Sequence, residues 1–95
     1  MEIHFEERDG RGRWYGTPEG SEEEAEMSFS RSNATLILVD HTFVPPPVRG
    51  QGLAAALAKA AVAHARREGW KIVPVCPFLK AEAQRHRDWA DVIED

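Results

Sequence analysis

One short junction limits the possible folds of this chain more than any other feature. Three consecutive prolines at 45–47 end an apolar run and predict a stiff extended connector, because proline has no N–H group to donate to a strand ladder. Gly50 and Gly52 follow, and the longest helix-like run begins directly after them. Glycine has no Cβ atom, so a ligand can approach the backbone closely there. The first N–H groups of a helix lack helical partners and lie at its positive end. The junction therefore predicts a strand, a tight loop and a helix whose start binds phosphate or diphosphate.

The first half of the chain has the pattern of an antiparallel sheet. Apolar and polar residues alternate in its first segment, and the turn residues at 9–12 predict a hairpin. Ala25, Met27 and Phe29 share one face of a later segment, and a tight turn is predicted at Ser32-Asn33. The predicted strands are 3–7, 13–15, 25–30 and 35–44.

The second half is dominated by helix signals. Alanine-rich sequence with apolar residues at helical spacing predicts a helix over 53–68, which Gly69 ends. Residues 71–75 predict a fifth strand, and Pro74 restricts it to a sheet edge or interrupts its ladder. Pro77 suits the first turn of a second helix over 78–86. The order β-β-β-β-α-β-α predicts one α/β domain of the α+β type spanning residues 1–95, with a mostly antiparallel sheet.

Composition narrows the possible classes of function. A net charge of −4 argues against a general nucleic-acid binder or an anionic-membrane binder, which would need a basic surface. No run has the length and apolarity of a signal peptide or a membrane span. The single cysteine, Cys76, excludes an internal disulfide and favours a reducing, cytoplasmic location. We expect a monomer or a weak homodimer.

Three known loop patterns can be compared with the glycine pair. A Walker loop needs Gly-Lys-Ser/Thr, which is missing from the sequence. Gly50-x-Gly52-x-x-Ala55 fits a dinucleotide fingerprint, but the next strand does not end in an acidic residue, and the chain is too short for that fold. Residues 49–54 also fit Arg/Gln-x-x-Gly-x-Gly/Ala, the coenzyme A diphosphate loop of GCN5-related N-acetyltransferases (GNAT). The alternative is a helix entry in which the glycines only permit a tight turn.

Two further segments strengthen the third pattern. Residues 41–45 read His-Thr-Phe-Val-Pro, and residues 76–78 read Cys-Pro-Phe. Together with residues 49–54 they resemble a small GNAT-like family with the pattern His-Thr-x-Val-Pro, Arg-Gly-x-Gly-Ile/Leu-Ala and Cys-Pro-Phe. The chain departs from that family at Phe43, where some members carry glutamate, and at Arg87, where many carry proline. The first departure removes one possible general base.

The resemblance implies a minimal GNAT fold that uses acetyl-coenzyme A to acetylate an amine on a small molecule or a peptide. The pantetheine arm is expected between the strands at 36–44 and 71–75. The implied coenzyme-binding residues are Phe43, Val44, Arg49, Gly50, Gln51, Gly52, Leu53, Ala54, Phe78 and Lys80. For two of them another role is possible: Phe78 could pack in the core, and Lys80 could be a solvated charge.

Cys76 and His41 are the candidate catalytic residues. Cys76 lies between a strand end and a helix start, where it could protonate the departing thiolate or accept the acyl group. A small buried core residue is the alternative. His41 could deprotonate the amine, because imidazole is the side-chain group whose proton exchange suits neutral pH, or it could serve only to link strands. The spacing of the other histidines does not suit a metal site, so none is expected.

Two other classes of function remain open at this point. The first is a coenzyme A-binding or regulatory module with little turnover, because the short N-terminal region leaves little chain to build an acceptor pocket. The second is a protein-interaction domain whose glycine corner binds no nucleotide.

Overall fold

The computed structural model describes residues 1–94 and contains one five-stranded sheet. Its strands lie in chain order; the first four are antiparallel, and the fifth is parallel to the fourth at the sheet edge. The strands are β1 (His4–Arg8), β2 (Arg11–Gly16), β3 (Ala25–Asn33), β4 (Leu36–Phe43) and β5 (Lys71–Pro74). The helices are α1 (Leu53–Glu68) and α2 (Pro77–Arg85), with 3₁₀ turns at Pro46–Val48 and Arg87–Trp89. The predicted mixed α/β architecture and element order are confirmed.

The hydrophobic core lies between one face of the sheet and the two helices. Met27 and Phe29 of β3 are fully buried there, as the alternation predicts. They share a single apolar cluster with Leu57 of α1 and Leu79 of α2. The other sheet face, which we call the open face, carries Arg11, Arg13, Glu26, Ser28 and His41. The side chains of the sheet are thus divided into an apolar layer and a charged layer.

A β-bulge interrupts β4 in the middle of the sheet. Phe29 pairs with Val39 while its neighbour Ser28 pairs with His41, so Asp40 is an extra residue in the ladder. Arg11 donates to the Asp40 carboxylate at 2.7 Å, and the Ser30 hydroxyl lies 3.2 Å from it. Burial opposes ionisation of Asp40, but the hydrogen bond and charge of Arg11 outweigh it and lower the pKa of that carboxyl. Side-chain contacts from β2 and β3 therefore hold the bulge.

Two local predictions are wrong. The prolines at 45–47 do not form a fully extended connector, because Val48 donates to the Pro45 carbonyl at 3.1 Å and closes a 3₁₀ turn. Proline's fixed φ is compatible with that turn as well as with extended backbone. The predicted turn at Ser32-Asn33 is also displaced, since β3 continues through Asn33. The Asn33 side chain instead accepts the Thr35 N–H at 2.9 Å, which forms the turn one step later.

The C-terminal tail completes the β5 side of the sheet. Ile72 donates to the Val92 carbonyl and accepts from the Glu94 N–H, each at 2.7 Å. Trp89 and Val92 are buried in the core. No helix within residues 1–94 is long and apolar enough to cross a membrane.

Candidate functional site

The loop between the 3₁₀ turn and α1 adopts a backbone conformation that favours glycine. Gly50 has a φ of 82° and Gly52 a φ of 78°, which other residues rarely adopt. A Cβ atom built on either glycine has no neighbour within 4 Å. Space for a ligand therefore lies directly beside the loop backbone.

The amide groups of this loop have no protein acceptors. The first hydrogen bond of α1 runs from the Ala56 N–H to the Gly52 carbonyl at 3.0 Å, and no side chain caps the helix. Among the hydrogen bonds of residues 1–94, none has an amide of residues 50–55 as its donor. Six consecutive N–H groups are thus available at the positive end of a 16-residue helix.

A cavity of about 400 Å³ lies between this loop, the end of β4 and α2. Three predicted residues are placed elsewhere: Gln51 and Lys80 are exposed outside the cavity, and Phe43 pairs with Glu26 in the β3–β4 ladder. The sequence analysis missed Ala55 and Glu82, which also line it. A helical repeat could have found Glu82, because it lies four residues after Phe78. The predicted residues that line the cavity are Val44, Arg49, Gly50, Gly52, Leu53, Ala54 and Phe78.

Arg49 links the loop to the end of β4. Its Nε donates to the Val44 carbonyl at 2.9 Å. No carboxylate pairs with Arg49 among residues 1–94, and the residue is exposed. The remaining guanidinium N–H groups can therefore reach an anion at the mouth of the cavity.

The strands β4 and β5 separate next to this cavity. The N–H groups of Val75 and Cys76 both donate to the Val39 carbonyl, at 3.0 and 2.8 Å. Beyond that point β4 continues to Phe43, whereas β5 has ended at Pro74. A split between the two strands follows, in the position that the resemblance implies for the pantetheine arm.

Cys76 lies at this split, immediately before α2. Its side chain is buried, with 5% exposure, and Sγ lies 3.1 Å from the Thr42 hydroxyl. Either atom of that pair can donate the hydrogen bond. Thr42 pairs with the buried Met27 and so faces the helices. The thiol is therefore on the helix-covered side of β4.

His41 lies on the other side of β4, on the open face. It lines a cavity of about 710 Å³ together with Ser28, Glu26 and Arg13, and its imidazole has no hydrogen-bond partner within residues 1–94. The two candidate catalytic residues are thus separated by the thickness of the sheet. Sequence alone hides this placement, because the bulge at Asp40 changes the alternation of β4.

The charges on the open face are paired with one another. Arg13 donates to Glu6, Glu24 and Glu26 at 2.6, 2.8 and 2.9 Å. Burial acts against the charge of Arg13, but the three carboxylates outweigh it and raise its pKa further above the usual range. Within residues 1–94, no three histidine, cysteine or acidic residues are grouped as a metal site requires.

Known proteins resemble this chain in sequence pattern and in structure. A family model described as GCN5-related N-acetyltransferase matches residues 14–92. The solution structure of a GCN5-like protein from Staphylococcus aureus has a TM-score of 0.73 with this chain at 29% sequence identity. That match covers 98% of this chain and 87% of the other. Among curated protein sequences, none matches this chain.

Proposed function

Because the chain belongs to the GCN5-related N-acetyltransferase family, we propose that it binds acetyl-coenzyme A at residues 49–54 and transfers the acetyl group to an amine. The coenzyme supplies an acetyl group activated as a thioester. The acceptor is a small molecule or a peptide that carries the amine. One observation supports the proposal above all others: six adjacent amides have no protein acceptor, and five of their residues line a cavity.

The residues of the loop fit a diphosphate in three respects. Their N–H groups are donors at the positive end of a helix, which attracts anions. The open space beside Gly50 and Gly52 allows close approach to the backbone. Hydrogen bonds to a charged group contribute about 1.5–3 kcal/mol each, so three of these amides supply about 4.5–9 kcal/mol, against roughly 8 kcal/mol for a micromolar complex.

We assign proton donation on the helix side of β4 to Cys76. Its thiol and the Thr42 hydroxyl, 3.1 Å apart, hold a proton at the split between β4 and β5. The position before α2 favours the thiolate after the proton has left, because the helix dipole is positive there. The Thr42 hydroxyl can then donate a hydrogen bond to the negatively charged sulfur of Cys76.

We assign proton removal from the amine to His41 on the open face. The imidazole is exposed, and the free ring nitrogen of a neutral histidine can accept a proton from an amine. Placing the acid and the base on opposite sides of β4 keeps them from neutralising each other. It also requires that the amine approach from the open face.

Thermal unfolding with and without coenzyme A tests the binding step. Ligand at a hundred times its dissociation constant adds about 2.7 kcal/mol to the stability of a protein that binds it. A melting temperature that does not respond to saturating coenzyme A contradicts the proposal. Such a result favours a protein-interaction domain.

Thiol release from acetyl-coenzyme A in the presence of amines and peptides tests the transfer step. We expect release above the buffer rate with at least one acceptor, and slower release from the Cys76→Ala variant. A protein that is stabilised by coenzyme A but releases no thiol with any acceptor is a binding module. One feature favours a binding module: the cavity on the open face, where the amine would bind, is broad rather than enclosed.

A further inference from the structure

Glu82 is a buried carboxylate that the acyl-transfer chemistry leaves without a role. It lies on α2 one turn after Phe78, and its side chain is only 12% exposed. Its residue lines the same cavity as Gly50 and Gly52. Burying a charged carboxylate costs free energy unless the charge is paired. The other feature of the same cavity is a row of amide donors, which suits a negatively charged ligand.

The contacts that balance Glu82 within the protein are long. Arg85 Nη1 lies 3.2 Å from one carboxylate oxygen, and His86 Nε2 lies 3.5 Å from the other. Charge-assisted hydrogen bonds are usually about 2.7–2.9 Å. The Arg85 side chain is 77% exposed, and the His86 ring stacks on Trp89 at 4.0 Å. A carboxylate accepts roughly four hydrogen bonds, and Glu82 thus keeps acceptor capacity for a ligand.

The lining of the cavity is mainly apolar, and the loop and Glu82 bring polar groups of opposite character to it. The loop offers donors to an anion, whereas Glu82 offers an acceptor to an N–H group. The apolar part comes mainly from Val44, Leu53 and Phe78.

We propose that Glu82 is a specificity-determining residue of this cavity, which accepts a hydrogen bond from an N–H group of the coenzyme and repels ligands that carry phosphate alone. This inference rests on the proposed function. Coenzyme A meets both requirements, since it has a diphosphate and also amide and amino N–H groups. Inorganic diphosphate meets only the first and experiences the negative charge of Glu82 without compensation.

Calorimetric titration of the whole chain with coenzyme A and with inorganic diphosphate tests this inference. For Glu82→Leu we expect about a tenfold loss of affinity for coenzyme A and about a threefold gain for diphosphate. Glu82→Gln keeps an acceptor oxygen without the charge, so it shows the diphosphate gain with a smaller loss for coenzyme A. The diphosphate gain shrinks at high salt, because screening weakens the repulsion in the wild type.

Glu68→Leu is the matched control. That glutamate is exposed at the far end of the 16-residue helix α1, about 22 Å from the loop, and its loss changes neither affinity. Undiminished coenzyme A affinity in Glu82→Leu, or unchanged diphosphate affinity in both Glu82 variants, overturns the inference while leaving the proposed function intact. A wild-type protein that binds neither ligand overturns both. Circular dichroism of Glu82→Gln, the variant closest in shape, checks that the fold is retained.

Discussion

Adding one methyl group at Gly52 separates the ligand-binding role of the loop from its structural role. Gly52 has a φ of 78°, a conformation that costs a residue with a Cβ atom about 1–2 kcal/mol. For a domain of this size each kcal/mol corresponds to roughly 4–8 °C in melting temperature. The Gly52→Ala variant should therefore unfold roughly 4–16 °C below the wild type. The new methyl group lies beside the free amides, so we also expect coenzyme A affinity to fall about tenfold or more, equivalent to about 1.4 kcal/mol.

Gly69 provides an internal control for the cost of the backbone conformation. It ends the same helix with a φ of 76°, and a Cβ atom built there also has no neighbour within 4 Å. Gly69→Ala should thus lose similar stability but keep coenzyme A affinity unchanged. Both quantities follow from thermal unfolding and calorimetry at one temperature. Equal affinity of the two variants for coenzyme A would refute the placement of the diphosphate at this loop.

Three further predictions concern the catalytic, pH-dependent and packing roles of single residues. Cys76→Ala should lower the rate of thiol release about a hundredfold while coenzyme A affinity stays the same, and Cys76→Ser should keep more activity; an unchanged rate in both excludes a proton donor at that position. Burial lowers the pKa of His64, which accepts the Trp14 indole N–H at 3.1 Å. The neutral ring of His64 contributes fully to the free energy of unfolding when the pH is above the pKa of the unfolded state, about 6.5. This contribution is lost as the pH falls toward the lower pKa of the folded state. Urea midpoints should therefore drop between pH 7.5 and 5.5 in the wild type, and less in His64→Gln, which keeps an acceptor. Leu57→Ala should cost about 3 kcal/mol in urea unfolding because Leu57 is fully buried; a loss below about 1 kcal/mol contradicts the assigned core.

The helices and strands were largely predictable because local signals and tertiary packing agree. The prediction for α1 matches its observed bounds, since alanine content, apolar spacing and Gly69 all point to the same ends. Pro74 indicated an edge strand, and β5 is at the edge. The bulge at Asp40 was not predicted, because it depends on contacts with Arg11 and Ser30 that are distant in sequence.

The candidate site was predictable where its residues are contiguous and less so elsewhere. The glycine loop and its helix follow each other in the chain, so their common cavity could be anticipated. Glu82 contributes to that cavity only through the packing of α2, and a charged residue on a short helix usually faces solvent. His41 and Cys76 lie on opposite sides of the sheet because of the bulge at Asp40, and no local sequence pattern predicts that bulge.

The docking of the tail on Ile72 has a consequence for how copies of this protein meet. A parallel bridge between Ile72 and Ile93 covers part of β5 that would otherwise be a template for pairing with a neighbouring molecule. The opposite margin, β1, is exposed along its length but carries Glu6, Glu7 and Arg8 in succession. Charged side chains in that density discourage strand addition. Strand pairing between copies is thus opposed at both edges of the sheet: the C-terminal tail covers part of β5, and charged side chains protect β1.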